Sequence, residues 1–320
     1  IHALVAWGFT LYLLVNIIDV LYGFIPNFKF LPNSITGDIY RLFVDTFSIL
    51  VLLGVFYFLA RRFIIQEDRL TIKDPVLLSD RAKAGMKFDS FIVGAFIIVH
   101  IGSRFLSASF EIAIHGTDWS QPAANMVATL WSTLSPDTLT IAEHVTWWLA
   151  LGLILLFLPY FPYSKHAHLF MGPLNIMASE KRRSMAAIET IDFEDEELDQ
   201  FGAAQIQHLP QTQLLDGYAC IQCSRCQDAC PAYETGKELS PSALEINKRY
   251  FINDNLSTIA NGESIDKALT DWMLTEEAAW SCTTCGYCIE VCPVGNEPMI
   301  DILRARQNLV MMESNFPQDA

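Results

Sequence analysis

An all-α fold is predicted, a bundle of membrane-crossing helices followed by a soluble helical domain, and three observations predict it. Four runs of about 20 apolar residues occupy the first half of the 320-residue chain, long enough at about 1.5 Å per residue to cross a hydrocarbon layer of about 30 Å. Alternating strand-type patterns are nearly absent. The charge is uneven: residues 1–190 carry 14 acids and 14 bases, whereas residues 191–320 carry 22 acids, 7 bases and all eight cysteines. With 52% hydrophobic residues and a mean hydropathy of +0.27, the composition excludes a disordered or nucleic-acid-binding chain. The expected divisions are a membrane part at 1–170, an acidic linker at 171–213 and a soluble domain at 214–320.

The spans are read at 3–23, 42–60, 88–110 and 139–163, each apolar on every face and so unlike an amphipathic surface helix. The first lacks the basic start and small-residue cleavage site of a secretory leader. Because Ile1 already sits inside an apolar pattern, an earlier N-terminal segment carrying a fifth span is expected. Basic residues set the orientation. Loop 61–87 holds Arg61, Arg62, Arg69, Lys73, Arg81, Lys83 and Lys87, and the exit of the fourth span holds Lys165, Lys181, Arg182 and Arg183, whereas 111–138 has no Lys or Arg. The positive-inside rule then predicts a multi-pass protein of the cell's inner (cytoplasmic) membrane, with the cysteine-bearing domain facing the cytoplasm.

Cys220, Cys223, Cys226 and Cys230 followed by Pro231 form a C-x2-C-x2-C-x3-C-P motif, which recurs as Cys282, Cys285, Cys288, Cys292 and Pro293. In this spacing three thiolates cap three irons of a cubane, and the fourth cysteine turns away before the proline to ligate the other cluster. The expected sets are therefore Cys220, Cys223, Cys226 and Cys292 for one [4Fe–4S] cluster, and Cys282, Cys285, Cys288 and Cys230 for the second. Zinc ribbons lack the further cysteines and the proline, and a reducing cytoplasm disfavours disulfides. The motifs are 51 residues apart, with a helical pattern over 240–274, so an α-helical ferredoxin domain is expected. The run 192–199, six acids in eight residues, reads as a solvated linker.

Ionisable residues inside spans are functional candidates, and neutral imidazole is the usual axial ligand of b-type haem. The histidines in or near the spans are His2, His100, His115, His144, His166 and His168. His2, His166 and His168 fall at the cytoplasmic ends. His100 and His144 lie deeper, about 20 and 31 Å from those ends at 1.5 Å per residue, a mismatch for a pair.

The stretches His2–Phe9 and Phe161–His168 resemble the cytochrome b (gamma) subunit of respiratory nitrate reductase and its relatives in membrane-bound heterodisulfide reductase. The twin-cluster part is similar to the iron–sulfur subunit of heterodisulfide reductase. Together they resemble the fused iron–sulfur oxidoreductases that act as electron-transfer-flavoprotein:menaquinone oxidoreductases. By position, the resemblance implies His2 and His168 as ligands of a proximal haem b. The distal ligands fall on Tyr12 and Ala150, so a second haem is absent or uses His100 and His144, with His166 as a further alternative. Fused relatives continue into a further cysteine-rich part, which is expected outside this chain or on another polypeptide.

The function expected is electron transfer between a cytoplasmic redox partner, two [4Fe–4S] clusters, haem b and menaquinone or ubiquinone, within a larger complex in the bilayer. No dinucleotide or phosphate-loop fingerprint occurs, so flavin chemistry belongs to a partner such as an electron-transfer flavoprotein. Arg104, Asp19 and Glu111 are the candidates for quinone or proton handling. The rivals are an anchor with a ferredoxin relay and no quinone chemistry, and a thiol-disulfide enzyme of the heterodisulfide reductase kind.

Overall fold

The computed structural model describes residues 2–28, 30–31, 34–179, 191–195 and 199–318. The expected all-α architecture is what it has, with no strand among the described residues. Two compact units result, Ile1–Gln66 with Ser90–Tyr160, and Glu67–Asp89 with Phe161–Ala320.

The first unit is built from α1 (His2–Phe24), α2 (Ile35–Leu59), most of α3 (Asp80–His115), the short α4 (Pro122–Ala128) and α5 (Pro136–Phe157). Four helices, α1, α2 with its π-helical extension to Ile64, α3 and α5, are long and apolar enough to cross a membrane. Their outward faces are apolar: Leu13, Phe56, Leu155 and Leu156 are each at least 60% exposed, which suits a lipid solvent. Polar side chains turn inward and find partners, as the low dielectric requires. Asp45 accepts from the Ala123 and Ala124 backbone N–H groups at the start of α4, at 2.8 and 3.0 Å, and the hydroxyls of Tyr12 and Ser48 pair at 2.6 Å.

Helix ends depart from the hydropathy-based spans because caps, not apolarity, set them. The second span begins seven residues earlier than the sequence window, where Ser34 accepts from Gly37 N–H. The third extends back to Asp80, with Ser79 Oγ accepting from Ala82 N–H at 3.1 Å, so its first turns are polar. The fourth stops at Phe157 rather than Tyr163, because Pro159 has no backbone N–H with which to continue the helical hydrogen bonds.

The second unit contains the first turns of α3 followed by α6 (His168–Ala178), α7 (Gln211–Ala219), α8 (Arg225–Asp228), α9 (Pro231–Glu234), α10 (Pro241–Asp254), α11 (Leu256–Ala260), α12 (Leu269–Trp272), α13 (Glu276–Ser281), α14 (Tyr287–Glu290) and α15 (Pro298–Met311). Its core packs Leu239, Leu244, Leu269, Met273, Ile302 and Leu309, all nearly inaccessible, with Phe251 stacked on Trp272 at 3.8 Å. The segment expected as one helical run over 240–274 is divided: α10 starts where Ser240 caps Ala243 N–H, and Gly262, at φ +72°, follows the end of α11.

Within the segment read as a linker, α6 runs to Ala178 and Ala203, Ile206 and Leu209 are core residues. Gly202, at φ +75°, lets the chain approach α15, and Ala203 N–H donates to the Arg304 carbonyl at 2.8 Å. Of the acidic run, Asp192, Glu194, Asp195 and Asp199 are exposed, while Glu196 and Glu197 lie outside the described residues, as do Lys181, Arg182 and Arg183. The α2–α3 connection also belongs to this unit. Asn247 of α10 donates to the Leu77 carbonyl at 2.9 Å and accepts from Ser79 N–H at 3.1 Å.

Ser240 both caps α10 and donates to Gln227 Oε1 at 2.7 Å in a buried position. Ser240→Ala is expected to destabilise the second unit by about 1–3 kcal/mol, the cost of losing a cap and a buried hydrogen bond. Chemical denaturation of the purified chain followed by circular dichroism checks it.

Candidate metal centre

Two loops of the second unit carry the eight cysteines, and they are built alike. Cys220 closes α7 and Cys282 closes α13. Two left-handed residues follow in each loop, Gln222 and Ser224 in the first, Thr284 and Gly286 in the second, at φ between 53° and 71°. This reversal points successive backbone N–H groups into the loop, a nest for negative charge. One short helix follows in each, α8 and α14, and then the fourth cysteine with its proline. Thr284 N–H donates to Cys282 Sγ at 3.4 Å and Asn296 N–H to Cys292 Sγ at 3.3 Å.

The thiols fall into two neighbourhoods. Cys220, Cys223, Cys226 and Cys292 line one cavity, with Cys288 also at its wall. Cys288 in turn has Cys282, Cys230 and Cys285 as its thiol neighbours. All eight cysteines are free of disulfides. Among the described residues no three His, Cys, Asp or Glu gather tightly enough for a single ion. A tetrahedral zinc site would need sulfurs about 3.8 Å apart, given Zn–S bonds of about 2.3 Å. Burial pushes the thiols of Cys220 and Cys288 up to about 12 and that of Cys226 well above the ordinary range, with the neighbouring thiols adding to it at Cys226 and Cys288. Such thiols stay protonated without a metal and would have to give up their protons to bind one.

Two arginines that the motif reading missed hold these loops. Arg249 of α10 donates to the carbonyls of Gly217, Tyr218 and Cys220 at 2.6–3.0 Å and lies 6.0 Å from the Tyr218 ring. Arg306 of α15 donates to the carbonyls of Ala279 and Cys282 and lies 5.3 Å from the Trp280 ring. The signal was present as a repeat: each arginine stands eight residues after a helix-opening proline, Pro241 or Pro298, and each aromatic stands two before the first cysteine of its motif.

Between these arginines lies a buried ion cluster. Lys248, fully inaccessible, pairs with Asp301 of α15 and, at 3.2 Å, with Glu245. Asp216 accepts from Asn175 Nδ2 at 2.7 Å and from Glu297 N–H at 2.9 Å. Burial, opposed by Lys248 and reinforced by Asp301, raises the Asp216 carboxyl to about 7.

Of the histidines, His166 and His168 lie with their ring centroids 6.2 Å apart. His2 opens α1 with its ring 6.1 Å from Phe58. His168 opens α6, its Nδ1 2.5 Å from the Lys165 carbonyl oxygen. His166 is buried, and burial lowers its pKa to about 3. His100 pairs through Nδ1 with the Ala150 carbonyl at 2.9 Å and packs against Phe96 and Tyr12, so the two positions expected to carry distal ligands both meet this one imidazole. His144 lines the large cavity of the first unit, and His100 is not among that cavity's lining residues. His144 Nδ1 is tied to Thr140 O of its own helix at 2.8 Å and to Glu143 Oε2 at 3.0 Å, which turns the ring along α5.

A second cavity, of about 990 Å³, lies in the first unit and is lined by Arg104, Asp19 and Glu111 together. Arg104 Nε and Nη2 donate to the two Asp19 carboxylate oxygens at 3.2 and 3.4 Å.

Residues 216–296 match the family model of the 4Fe-4S dicluster domain, so the C-terminal part of this membrane-helical chain carries such a domain. The chain is 32% identical over 357 aligned positions to the probable iron–sulfur-binding oxidoreductase FadF of Bacillus subtilis, an alignment covering 100% of this chain and 48% of that protein. It is 26% identical over 348 positions to the EtfAB:quinone oxidoreductase of Syntrophomonas wolfei, covering 100% of this chain and 47% of that protein. A probable membrane-anchored ferredoxin of Chromohalobacter salexigens is 26% identical over 183 residues, 47% of this chain and 26% of that protein. The chain thus spans about half the length of the first two of these relatives. No solved structure matches it.

Lys248→Met is expected to cost about 3–5 kcal/mol by leaving Glu245 and Asp301 buried without their cation, and Asp301→Asn added to it should recover part of that loss. Thermal unfolding of the three proteins measures both effects. Asp216 binds its proton more tightly folded than unfolded, where its ordinary pKa is 3.8, so stability is expected to fall as pH rises from about 4 to about 7. Denaturation across that window should lose the Asp216 contribution to the slope in Asp216→Asn.

Proposed function

We propose that this chain is the membrane electron-transfer part of a quinone-linked iron–sulfur oxidoreductase. The observation that carries the reading is the grouping of the eight thiols into two neighbourhoods, each drawing on both motifs, in a chain that also has four membrane-length helices. Cys220, Cys223, Cys226 and Cys292 would hold one [4Fe–4S] cluster, and Cys282, Cys285, Cys288 and Cys230 the other. His2 and His168 would serve a haem b. The bond from His168 to the Lys165 carbonyl is the kind of second contact that orients a ligating imidazole. When bound, clusters and haem supply one-electron carriers between a soluble partner and menaquinone or ubiquinone.

The chain's own contribution is placement and tuning. Backbone N–H donors to Cys282 and Cys292 and the arginines behind Cys220 and Cys282 stabilise negative charge on the sulfurs, which raises the potential of a cluster held there. The name of the Syntrophomonas relative supports quinone as one substrate and a two-subunit electron-transfer flavoprotein as the soluble partner. Residues 67–89 fall in the same unit as the cysteine loops, which supports placing the basic α2–α3 connection and the clusters on one side of the bilayer, the cytoplasmic side by the positive-inside rule.

A second reading, a membrane-anchored ferredoxin relay without quinone chemistry, is favoured by the Chromohalobacter relative. Menaquinol titration of anaerobic membranes containing the full-length protein separates the two: reduction of its centres supports the quinone enzyme, and centres reducible by dithionite but not by quinol leave only the relay. Iron analysis should approach eight irons per chain; a value near four would remove the crossed-ligand scheme. The reduced-minus-oxidised spectrum should contain a b-type band that His168→Ala diminishes.

A further inference from the structure

α6 of the second unit has its faces reversed relative to a helix on a soluble domain, which turns apolar side chains inward and polar ones to water. Phe170, Pro173, Leu174 and Met177 recur at i, i+3, i+4 and i+7 and are exposed, Phe170 at 59%, Leu174 at 48% and Met177 at 80%. The opposite face buries Gly172 and Asn175. Asn175 donates through Nδ2 to Asp216 Oδ1 at 2.7 Å, to the Val294 carbonyl at 3.2 Å and to Asn296 Oδ1 at 3.4 Å. Asn296 in turn donates Nδ2 to the Asp216 carbonyl at 2.7 Å and its N–H to Cys292 Sγ at 3.3 Å. A Cβ at Gly172 would stand 3.2 Å from Val294 Cγ1, so the loop after Cys292 lies directly on this face of the helix.

We infer that α6 is an interfacial helix, with Phe170, Pro173, Leu174 and Met177 seated in the boundary between phospholipid headgroups and acyl chains, and that its other face holds the Cys292 loop there. The cluster of Cys220, Cys223, Cys226 and Cys292 is then the membrane-side cluster of the two. Two features of the chain identify lipid as the occupant of the apolar face. The ten residues 158–167, which include the 3₁₀ turns Phe161–Tyr163 and Lys165–Ala167, are all that joins α6 to α5, a membrane-length helix whose Leu155 and Leu156 face outward. The sequence also flanks α6 with bases, Lys165 before it and Lys181, Arg182 and Arg183 after it, whereas residues 191–320 are strongly acidic. Bases beside an apolar stripe suit a layer of anionic headgroups. The set that holds Cys282, Cys285, Cys288 and Cys230 includes the exposed thiol of the eight, Cys285, which leaves that cluster the one open to a soluble partner. The lipid contact of α6 stands on the membrane helices alone, and the placement of the clusters rests on the ligand sets of the proposed function.

The test uses the full-length protein in vesicles of phosphatidylethanolamine and phosphatidylglycerol. The photoreactive residue p-benzoylphenylalanine is placed at position 170 or 177, both exposed, or at position 193 as a control, where Phe193 is 70% exposed beside Asp192, Glu194 and Asp195. Irradiation should give phospholipid adducts from 170 and 177 and none from 193. Adducts only to protein, whether this chain or a second copy, or equal lipid labelling from 193, would overturn the interfacial helix. For the clusters, a phospholipid with a gadolinium chelate on its headgroup is added to the dithionite-reduced protein. The electron paramagnetic resonance signal that Cys292→Ser alters should relax faster than the one that Cys285→Ser alters, and equal or reversed relaxation would overturn the membrane-side assignment. A wild-type protein without iron–sulfur signals would instead overturn the electron-transfer reading, and leave the lipid adducts of α6 to be judged by themselves.

Discussion

The buried pairing of Lys248 with Asp301 and Glu245 joins α10 to α15, and the rest of the cysteine-bearing unit depends on that junction. Each of the two helices also presents an arginine beside the junction, Arg249 next to Lys248 and Arg306 five residues after Asp301, and each arginine holds the carbonyls that lead into one cysteine loop. One contact between two helices therefore sets the distance between two loops far apart in sequence. A cation buried at zero exposure is costly unless its partners are in place, so the arrangement tolerates few alternatives.

The bundle answers the opposite constraint. Its outward surface is apolar enough to lie in lipid, and its polar side chains are spent on internal pairs: Asp45 on the start of α4, Tyr12 on Ser48, His100 on Ala150, Asp19 on Arg104. The Tyr40 hydroxyl and His100 Nε2 are exceptions, buried without a hydrogen-bond partner among the described residues. Where hydrocarbon surrounds a helix, an unmatched polar atom has no water to fall back on, which is why most of these side chains pair with one another.

Much of the fold was legible beforehand. Apolar runs of membrane length mark four spans because the bilayer requires length and apolarity of any segment that crosses it, and the cysteine spacing announces its chemistry because three sulfurs on one short loop match three corners of one cubane. Helix ends were less legible: Ser34, Ser79 and Pro159 decide them through local hydrogen bonds and sterics that hydropathy does not register. The 201–209 segment read as linker from its acidic surroundings, yet Ala203, Ile206 and Leu209 fill core positions that only the folded neighbours create.

What the amino-acid order settles by itself is the class of each half: four lipid-length helices and twin cysteine motifs, both properties of contiguous residues. Which thiols become neighbours, which arginine stands behind which loop, and how His100 comes to fill the level of Tyr12 and Ala150 are decided only by tertiary packing. The physical reason is distance along the chain. Burial and charge pairing act between groups that are tens of residues apart, and no local pattern encodes which of them will meet.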